Sequence, residues 1–368
     1  MIIKLYAYLE NNFGDDLMVD ILLKRYPQHT FYYVDWWNES DKFLMYPNFV
    51  NKNYYAKKWK LINKICNTLT LNKHKDFFMR KFVYDRLDKK CDCAVYIGGS
   101  IYIEGSQTDI SKKIEYEKKK ASGCPLFVIG ANFGPYHTDL FFEKYKEYFH
   151  ECGGVCFRDR KSYKLFEENE KVSYAPDVVF NLNVNKNQRT NGKIMISIIN
   201  LANKPHLKHL ESQYERLICD ICVEAVSRSL SPVIVSFCDK EGDKETAEKI
   251  YATLDNTTQE HTEIVGYEND IDEILDMFND ANAIIATRFH AMILALVMDK
   301  PFYCIAYDQK VINVMNDIEC NLWSDIGNLE VLTGEKVLDN VKQFELPNKY
   351  KESAKQQFNQ LEEFIKDC

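Results

Sequence analysis

Arg288 and His290 are the residues of this chain best suited to chemistry, two positions apart in Ala-Thr-Arg-Phe-His-Ala. An arginine keeps its charge at any physiological pH, and its planar fork matches a phosphate or a carboxylate. A histidine titrates near neutrality and can give or take a proton. Together they suit a reaction that holds an anion while a proton moves. The other reading of the same pair is structural, with Arg288 bound to a carboxylate and His290 at a helix entry. The apolar lead-in 283–286 predicts a short buried strand, and the apolar run 291–298 predicts a helix that starts at or just after His290. The pair therefore falls at the carboxyl end of a strand, where open α/β sheets bind their ligands.

The same kind of position recurs along the chain. A strand over 2–8 leads into Asn11-Asn12-Phe13-Gly14-Asp15-Asp16, where Asp15 or Asp16 can cap the next helix. A strand over 93–97 ends in Gly98-Gly99-Ser100, and one over 126–129 ends in Gly130-Ala131-Asn132-Phe133-Gly134-Pro135. A strand over 155–157 ends in Arg158-Asp159, and a short one near 172 leads to Asp177. Strand, tight glycine turn and helix N-terminus is a device for holding anionic ligands on backbone N–H groups, although glycines also simply make turns. After the asparagine-rich linker 183–192 a second series begins, with strands over 194–199, 233–237, 263–265, 283–286 and 302–305. Helices over 210–230, 243–254 and 271–278 alternate with them, and a last helix spans 349–366 with Tyr350, Phe358, Leu361 and Ile365 on one side.

This alternation predicts an α/β fold of two doubly wound Rossmann-like domains facing a central cleft. The expected boundaries are 1–185 for the first domain, with an insertion at about 35–88, then 186–345, then a C-terminal helix over 346–368. Arg158 and Asp159 would stand on one side of the cleft, Arg288 and His290 on the other.

Composition narrows the function. A net charge of −8 over 368 residues argues against a general nucleic-acid binder. The first ten residues lack the pattern of a signal peptide, and no run approaches the ~20 apolar residues of a spanning helix, so a cytoplasmic protein is expected. The cysteines, including Cys91 with Cys93, Cys152 with Cys156 and Cys219 with Cys222, lack the second pair or histidines that zinc would need, so reduced thiols and no metal are expected. Residues 51–82 hold nine Lys/Arg against one acid, Asp76, with Tyr54, Tyr55, Trp59, Phe77 and Phe78 among them. Such a segment can lie on an anionic membrane face, or form a solvated helical pair packed on the sheet. No Gly-x-Gly-x-x-Gly follows the first strand of either series, and there is no Walker motif, Gly-x-Ser-x-Gly or His-Glu-x-x-His. Hydride transfer, P-loop hydrolysis and zinc peptidase chemistry drop away.

In its ordered motifs the chain resembles the polysaccharide pyruvyl transferase family. They are Asn12-x-Gly14-Asp15, Gly98-Gly99, Gly130 to Gly134-Pro135, Arg158-Asp159 with Ser162, Asp177 to Phe180, Asp243, Arg288-x-His290, Pro301, and Tyr307 with Lys310. Ser100 departs from the pattern, which often has a third glycine there. The resemblance implies a fold similar to GT-B glycosyltransferases. It also implies transfer of pyruvate from phosphoenolpyruvate to two hydroxyls of one sugar, forming a cyclic ketal with no further cofactor. The acceptor would be an oligosaccharide or a lipid-linked sugar of a surface-polysaccharide precursor, reached in the second case at the inner face of the membrane. His290 and Arg288 are then the catalytic candidates, with His290 as acid or as base. Arg158, Lys310, Tyr307 and Asp243 are candidates for the donor, while Asn12, Gly14, Asp15, Gly98, Gly99, Asn132 and Gly134 line the acceptor or cleft loops. Two other readings remain: a nucleotide-sugar glycosyltransferase, with Asp239, Glu241 or Asp243 on a ribose, and a non-catalytic binding protein.

Overall fold

The computed structural model describes residues 1–34, 39–51, 91–105, 109–121, 123–184 and 191–368, with single positions at 61, 64, 65 and 68. Most of the basic aromatic segment 51–82, and of the insertion that contains it, lies outside the described residues. The chain divides into two compact units. Met1–Leu9, Met18–Val178 and Lys355–Cys368 form the first; Glu10–Leu17 and Val179–Ala354 form the second.

The first unit is built on a parallel sheet. Its strands are β1 (Ile2–Tyr6), β2 (Thr30–Tyr33), β3 (Phe49–Asn51), β4 (Cys93–Ile97), β5 (Leu126–Ala131), β6 (Gly154–Phe157) and β7 (Val172–Tyr174). They run in the order β3-β2-β1-β4-β5-β6-β7. Helices α1 (Phe13–Arg25), α2 (Ile110–Ala121), α3 (Asp139–Glu151) and α4 (Arg160–Lys164) connect them. Strands covered on both faces read as unbroken apolar runs, and β5, Leu-Phe-Val-Ile-Gly-Ala, is buried at every position. Thr138 caps α3 and Asp159 caps α4, each through a side-chain oxygen. Part of the aromatic excess goes into one cluster of this unit, where Phe133 contacts Phe141, Tyr145, Phe149 and Phe166.

The second unit repeats the plan with β8 (Lys193–Ser197), β9 (Ser231–Ser236), β10 (Glu263–Gly266), β11 (Ala283–Ala286), β12 (Phe302–Ala306) and β13 (Trp323–Asp325). Their order is β10-β9-β8-β11-β12-β13, all parallel. The helices are α5 (Glu211–Ser227), α6 (Asp243–Thr253), α7 (Asn256–His261), α8 (Ile271–Asp280), α9 (Phe289–Val297), α10 (Gln309–Asp317), α11 (Gly334–Asp339) and α12 (Asn348–Ser353). Both sheets reverse direction of growth once, between β1 and β4 in the first unit and between β8 and β11 in the second. These are the switch points at which doubly wound sheets bind ligands.

The boundaries differ from those expected at three places, the smallest being residues 179–184, which fall in the second unit. Residues 10–17, the Asn12-Phe13-Gly14-Asp15 turn among them, belong by their contacts to the second unit rather than to the first. The single helix expected over 349–366 is instead α12, a tight turn over Ala354–Phe358, and α13 (Asn359–Asp367). From Lys355 onward this end of the chain belongs to the first unit. Gln357 explains the attachment. Its amide nitrogen donates to the carbonyls of Ala175 at 2.7 Å, Pro176 at 3.1 Å and Phe157 at 3.4 Å, while its oxygen accepts from the Gly130 N–H at 2.9 Å. Arg25 and Glu362 add an ion pair at 2.6 Å. Among the described residues no helix is long and apolar enough to cross a membrane.

Gln357 is buried, so replacing it leaves main-chain groups unsatisfied. Gln357→Leu is expected to destabilise the first unit by roughly 2–4 kcal/mol, the cost of orphaning two or more buried polar groups. Urea unfolding measures it, and an unchanged midpoint would remove Gln357 from this role.

Candidate active site

The switch point of the second sheet is tied together by one hydroxyl. Ser197, the last residue of β8, accepts at Oγ from the N–H groups of Thr287 (3.1 Å) and Arg288 (3.2 Å), which follow β11. Tyr214 on α5 reinforces the loop by donating to Thr287 Oγ1 at 3.0 Å. Arg288 is thereby fixed as the N-cap of α9 in an extended backbone conformation, with no side-chain cap of its own. Its guanidinium turns instead to α6.

There it meets two carboxylates. Nε donates to Asp243 Oδ2 at 2.8 Å, Nη2 to Asp243 Oδ1, and Nη1 to Glu241 Oε2 at 2.9 Å. Asp243 is fully buried and also accepts from the Cys238 N–H at 3.2 Å. Lys204 Nζ shares the same Glu241 oxygen, Oε2, at 3.1 Å. Gly242 makes the approach of the two acids possible: its φ of +87° is left-handed, and an added Cβ would overlap the Asn200 amide. Burial alone would lower the Arg288 guanidinium, but Asp243, Tyr307 and Glu241 outweigh it and hold it well above its ordinary value. Burial would raise Glu241, yet Arg288 and Lys204 bring it down to about 2. Burial pushes Asp243 up, with Arg288 opposing.

His290 lies one residue into α9, and its ring is seated on Gly14. A Cβ at Gly14 would overlap the imidazole, with Nδ1, Cε1 and Cγ the atoms nearest. The turn that carries Gly14 is capped by Asn12, whose Oδ1 accepts from the Gly14 N–H at 3.1 Å, so Asn12 and not an aspartate starts α1. Asp15 and Asp16 lie inside the first helical turn, where their charge suits the positive end of the helix. The turn is fastened to the second sheet's strand ends. Phe13 N–H donates to the Phe237 carbonyl at 3.0 Å, and its ring packs on Phe237 (4.6 Å) and Tyr267 (5.4 Å). Tyr307 is buried just after β12, and Lys310 stands in the first turn of α10 with Nζ 3.9 Å from Asp308 and 5.6 Å from the Tyr307 ring centre.

The remaining site candidates gather in the first unit. Arg158, after β6, is almost wholly buried. Its Nη1 donates to Asp177 at 2.9 Å and its Nη2 to Asn132 Oδ1 at 2.7 Å. A Cβ at Gly99 would stand 2.5–2.6 Å from that guanidinium, so only glycine lets the backbone lie against it. Ser100, where a third glycine is common in the resembling family, donates to Asn132 Oδ1 at 3.2 Å. Gly98 ends β4's turn, and Gly134 holds φ +97° with its N–H on the Tyr102 carbonyl at 2.8 Å. Within each unit the candidates are brought together: Arg158, Asn132 and Gly99 in the first; Asn12, Gly14, Asp243, Arg288 and His290 in the second.

Three contributors escape the sequence reading, Ser197, Tyr214 and Tyr267, and Asp16 enters it only as a helix cap. Ser197 and Tyr214 act through main-chain loops and carry no motif. Asp16 stands beside the motif residue Asp15, which is the one signal that could have found it. Among the described residues no group of three or more His, Cys, Asp or Glu is placed to hold a metal ion.

Two parallel sheets in Rossmann order, each with polar side chains gathered at its strand ends, define the two-domain architecture of GT-B glycosyltransferases and related epimerases. Solved structures share it. The UDP-GlcNAc 2-epimerase of Methanocaldococcus jannaschii, in complex with UDP-GlcNAc and UDP, is 10% identical over 99% of this chain and 100% of that one, with TM-score 0.57. HepE of Anabaena, in complex with UDP and glucose, is 11% identical over 100% of this chain and 99% of that one, with TM-score 0.53. At such identities the likeness concerns the fold alone. The chain itself belongs to the polysaccharide pyruvyl transferase family, whose model matches residues 12–309, and is a transferase. The match starts at Asn12 and ends one residue before Lys310. A search of curated proteins finds no match.

Gly14→Ala is expected to cost transfer activity on the order of 10²-fold, because the His290 ring or the turn must move by about an ångström. Steady-state rates check it, and near-normal turnover would show that the seat of His290 is irrelevant. Glu241 gives a pH test. Its carboxyl falls from an ordinary 4.5 to about 2, so its stabilising effect is complete above pH 4.5 and lost as pH falls towards 2. Glu241→Gln should lower the melting temperature above pH 4.5, and the gap from wild type should close on acidification.

Proposed function

We propose that the enzyme transfers pyruvate from phosphoenolpyruvate to two hydroxyls of one sugar in a surface-polysaccharide precursor, forming a cyclic ketal and releasing phosphate. The observation that carries the reading is His290 at the switch point of the second sheet, seated on Gly14 next to a clamped Arg288, in a chain of the pyruvyl transferase family. A proton added to the methylene carbon of the donor makes C2 oxocarbenium-like. One sugar hydroxyl bonds to C2 and loses its proton, the C2–O bond to phosphate breaks, and the second hydroxyl closes the ketal. Two hydroxyl protons are lost; one is matched by the proton gained at the new methyl group, and the other leaves with phosphate. His290 is the proposed carrier of these protons.

The second unit takes the donor in this scheme. Arg288 supplies a fixed cation beside the leaving phosphate, with its orientation set by Asp243, and Lys310 and Tyr307 complete the donor's surroundings. Glu241, the more exposed of the two carboxylates on Arg288, is the one that an incoming anion can replace. The first unit takes the sugar, with the Gly98-Gly99, Asn132 and Gly134 loops at its strand ends and Arg158 holding them in place. The donor is a substrate, and no further cofactor is proposed. A lipid-linked acceptor would bring the basic segment 51–82 to the inner face of a membrane.

The test is phosphate release from phosphoenolpyruvate with a panel of oligosaccharide acceptors, the product identified by mass. His290→Ala is expected to lower kcat by about 10²–10⁴-fold with an unchanged melting temperature. Near-full turnover by the folded variant removes His290 from the mechanism. If nucleotide sugars raise the melting temperature and phosphoenolpyruvate does not, the glycosyltransferase reading replaces this one.

A further inference from the structure

The seat of His290 depends on how the turn over residues 12–16 is held, and one side-chain bond stands out among its fastenings. Tyr267 follows β10, with its N–H on the Ser236 carbonyl at 2.9 Å. Its hydroxyl donates to Asp16 Oδ2 at 2.9 Å, inside the second unit. Both side chains are buried, Tyr267 to 4% and Asp16 to 0% exposure. A hydrogen bond to a carboxylate at such a place is strong and directional. The same tyrosine ring packs edge-on against Phe13 at 5.4 Å, so Tyr267 grips the turn on both sides of Gly14.

Gly14 lies against the Nδ1 edge of the imidazole, with Nδ1, Cε1 and Cγ nearest to its missing Cβ. The opposite nitrogen, Nε2, is buried. The turn lies so close to the ring that a Cβ on Gly14 would overlap it, so the position of the turn and the position of the ring are linked. A proton carrier loses rate steeply when it is held about an ångström too loosely.

We propose that Tyr267, through its bond to Asp16, is a positioning residue for His290: it holds the glycine turn against the Nδ1 edge and so fixes the orientation of the imidazole. The inference rests on the reading of His290 as the proton carrier. Tyr267 touches no substrate in this scheme and sets the geometry of a group that does. Two elements far apart in sequence thereby act on one imidazole.

The test uses the full chain with ¹⁵N-labelled histidine and His290→Ala to assign the ring. Tyr267→Phe keeps the ring on Phe13 and deletes only the donor. In the wild type, the His290 nitrogens should show one dominant tautomer, protonated at one ring nitrogen. In Tyr267→Phe they should move towards the averaged pattern of a free histidine. With phosphoenolpyruvate, kcat should fall about tenfold or more while KM for the donor stays within about twofold, because ground-state binding is untouched. Tyr267→Phe leaves a buried carboxylate short of a donor and will lower the melting temperature, so Tyr267→Phe/Asp16→Asn separates the two effects. It should recover stability without recovering kcat or the ring pattern. Identical imidazole spectra in wild type and Tyr267→Phe overturn the proposal, as does a double variant whose kcat recovers along with its stability. The spectra need no substrate. If the wild type fails to release phosphate from phosphoenolpyruvate, the functional reading falls while the imidazole comparison still decides whether Tyr267 holds His290.

Discussion

A guanidinium that is removed from water must find acceptors for its donors, and the second unit is arranged around that requirement at Arg288. Only 7% of the residue is exposed. Three of its nitrogens are placed on two carboxylates, and each carboxylate is in turn fixed by something else: Asp243 by the Cys238 N–H, Glu241 by Lys204. The left-handed Gly242 between them is what lets two acids two residues apart point at one cation. Remove either acid and a buried charge is left partly matched. The backbone of Arg288 is under the same discipline, because Ser197 holds its N–H and that of Thr287. The start of α9, and with it His290, inherits its position from these bonds.

The first unit solves the same problem with different residues. Arg158 also follows a strand, is also buried, and also has a carboxylate on it, Asp177, with the Asn132 amide oxygen as the second acceptor. In both units a glycine lets main chain come where a side chain could not: Gly99 against the Arg158 guanidinium, Gly14 against the His290 ring. A Rossmann sheet leaves its strand ends as loops with unpaired backbone groups. Buried arginines that gather loops from several strands are one way to give such an edge a single conformation.

The fold was largely legible because parallel strands covered on both sides leave long apolar runs between helical stretches, and those runs fix element type well. What stayed hidden was where chain ends and short elements attach. Gln357 looks like any polar residue of an exposed helix until the carbonyls of Phe157, Ala175 and Pro176 are seen around it. The three residues of β13 are too few to show a period. In the site, Arg288, His290, Asp243 and Gly14 were readable as residue types at strand ends, helped by the order of the family motifs. Ser197, Tyr214 and Tyr267 were not, because their contacts cross long sequence separations that no local pattern records.

That the arginines are paired bears on how such a site can work. An isolated buried guanidinium would attract any anion, and its own orientation would drift with each one. Bound along one edge by Asp243, Arg288 has a fixed plane, which in the proposed reaction would keep reorganisation small. The two carboxylates are not equivalent: Asp243 is fully buried, whereas the Glu241 side chain is about one-third exposed and shared with Lys204. Burial raises the cost of losing the first contact, and solvent lowers the cost of losing the second. The asymmetry therefore assigns Asp243 to holding the arginine still and leaves the Nη1 side, where Glu241 sits, as the side of the cation open to exchange. In the proposed reaction such a site would keep its geometry before the donor arrives and offer its charge in one direction only.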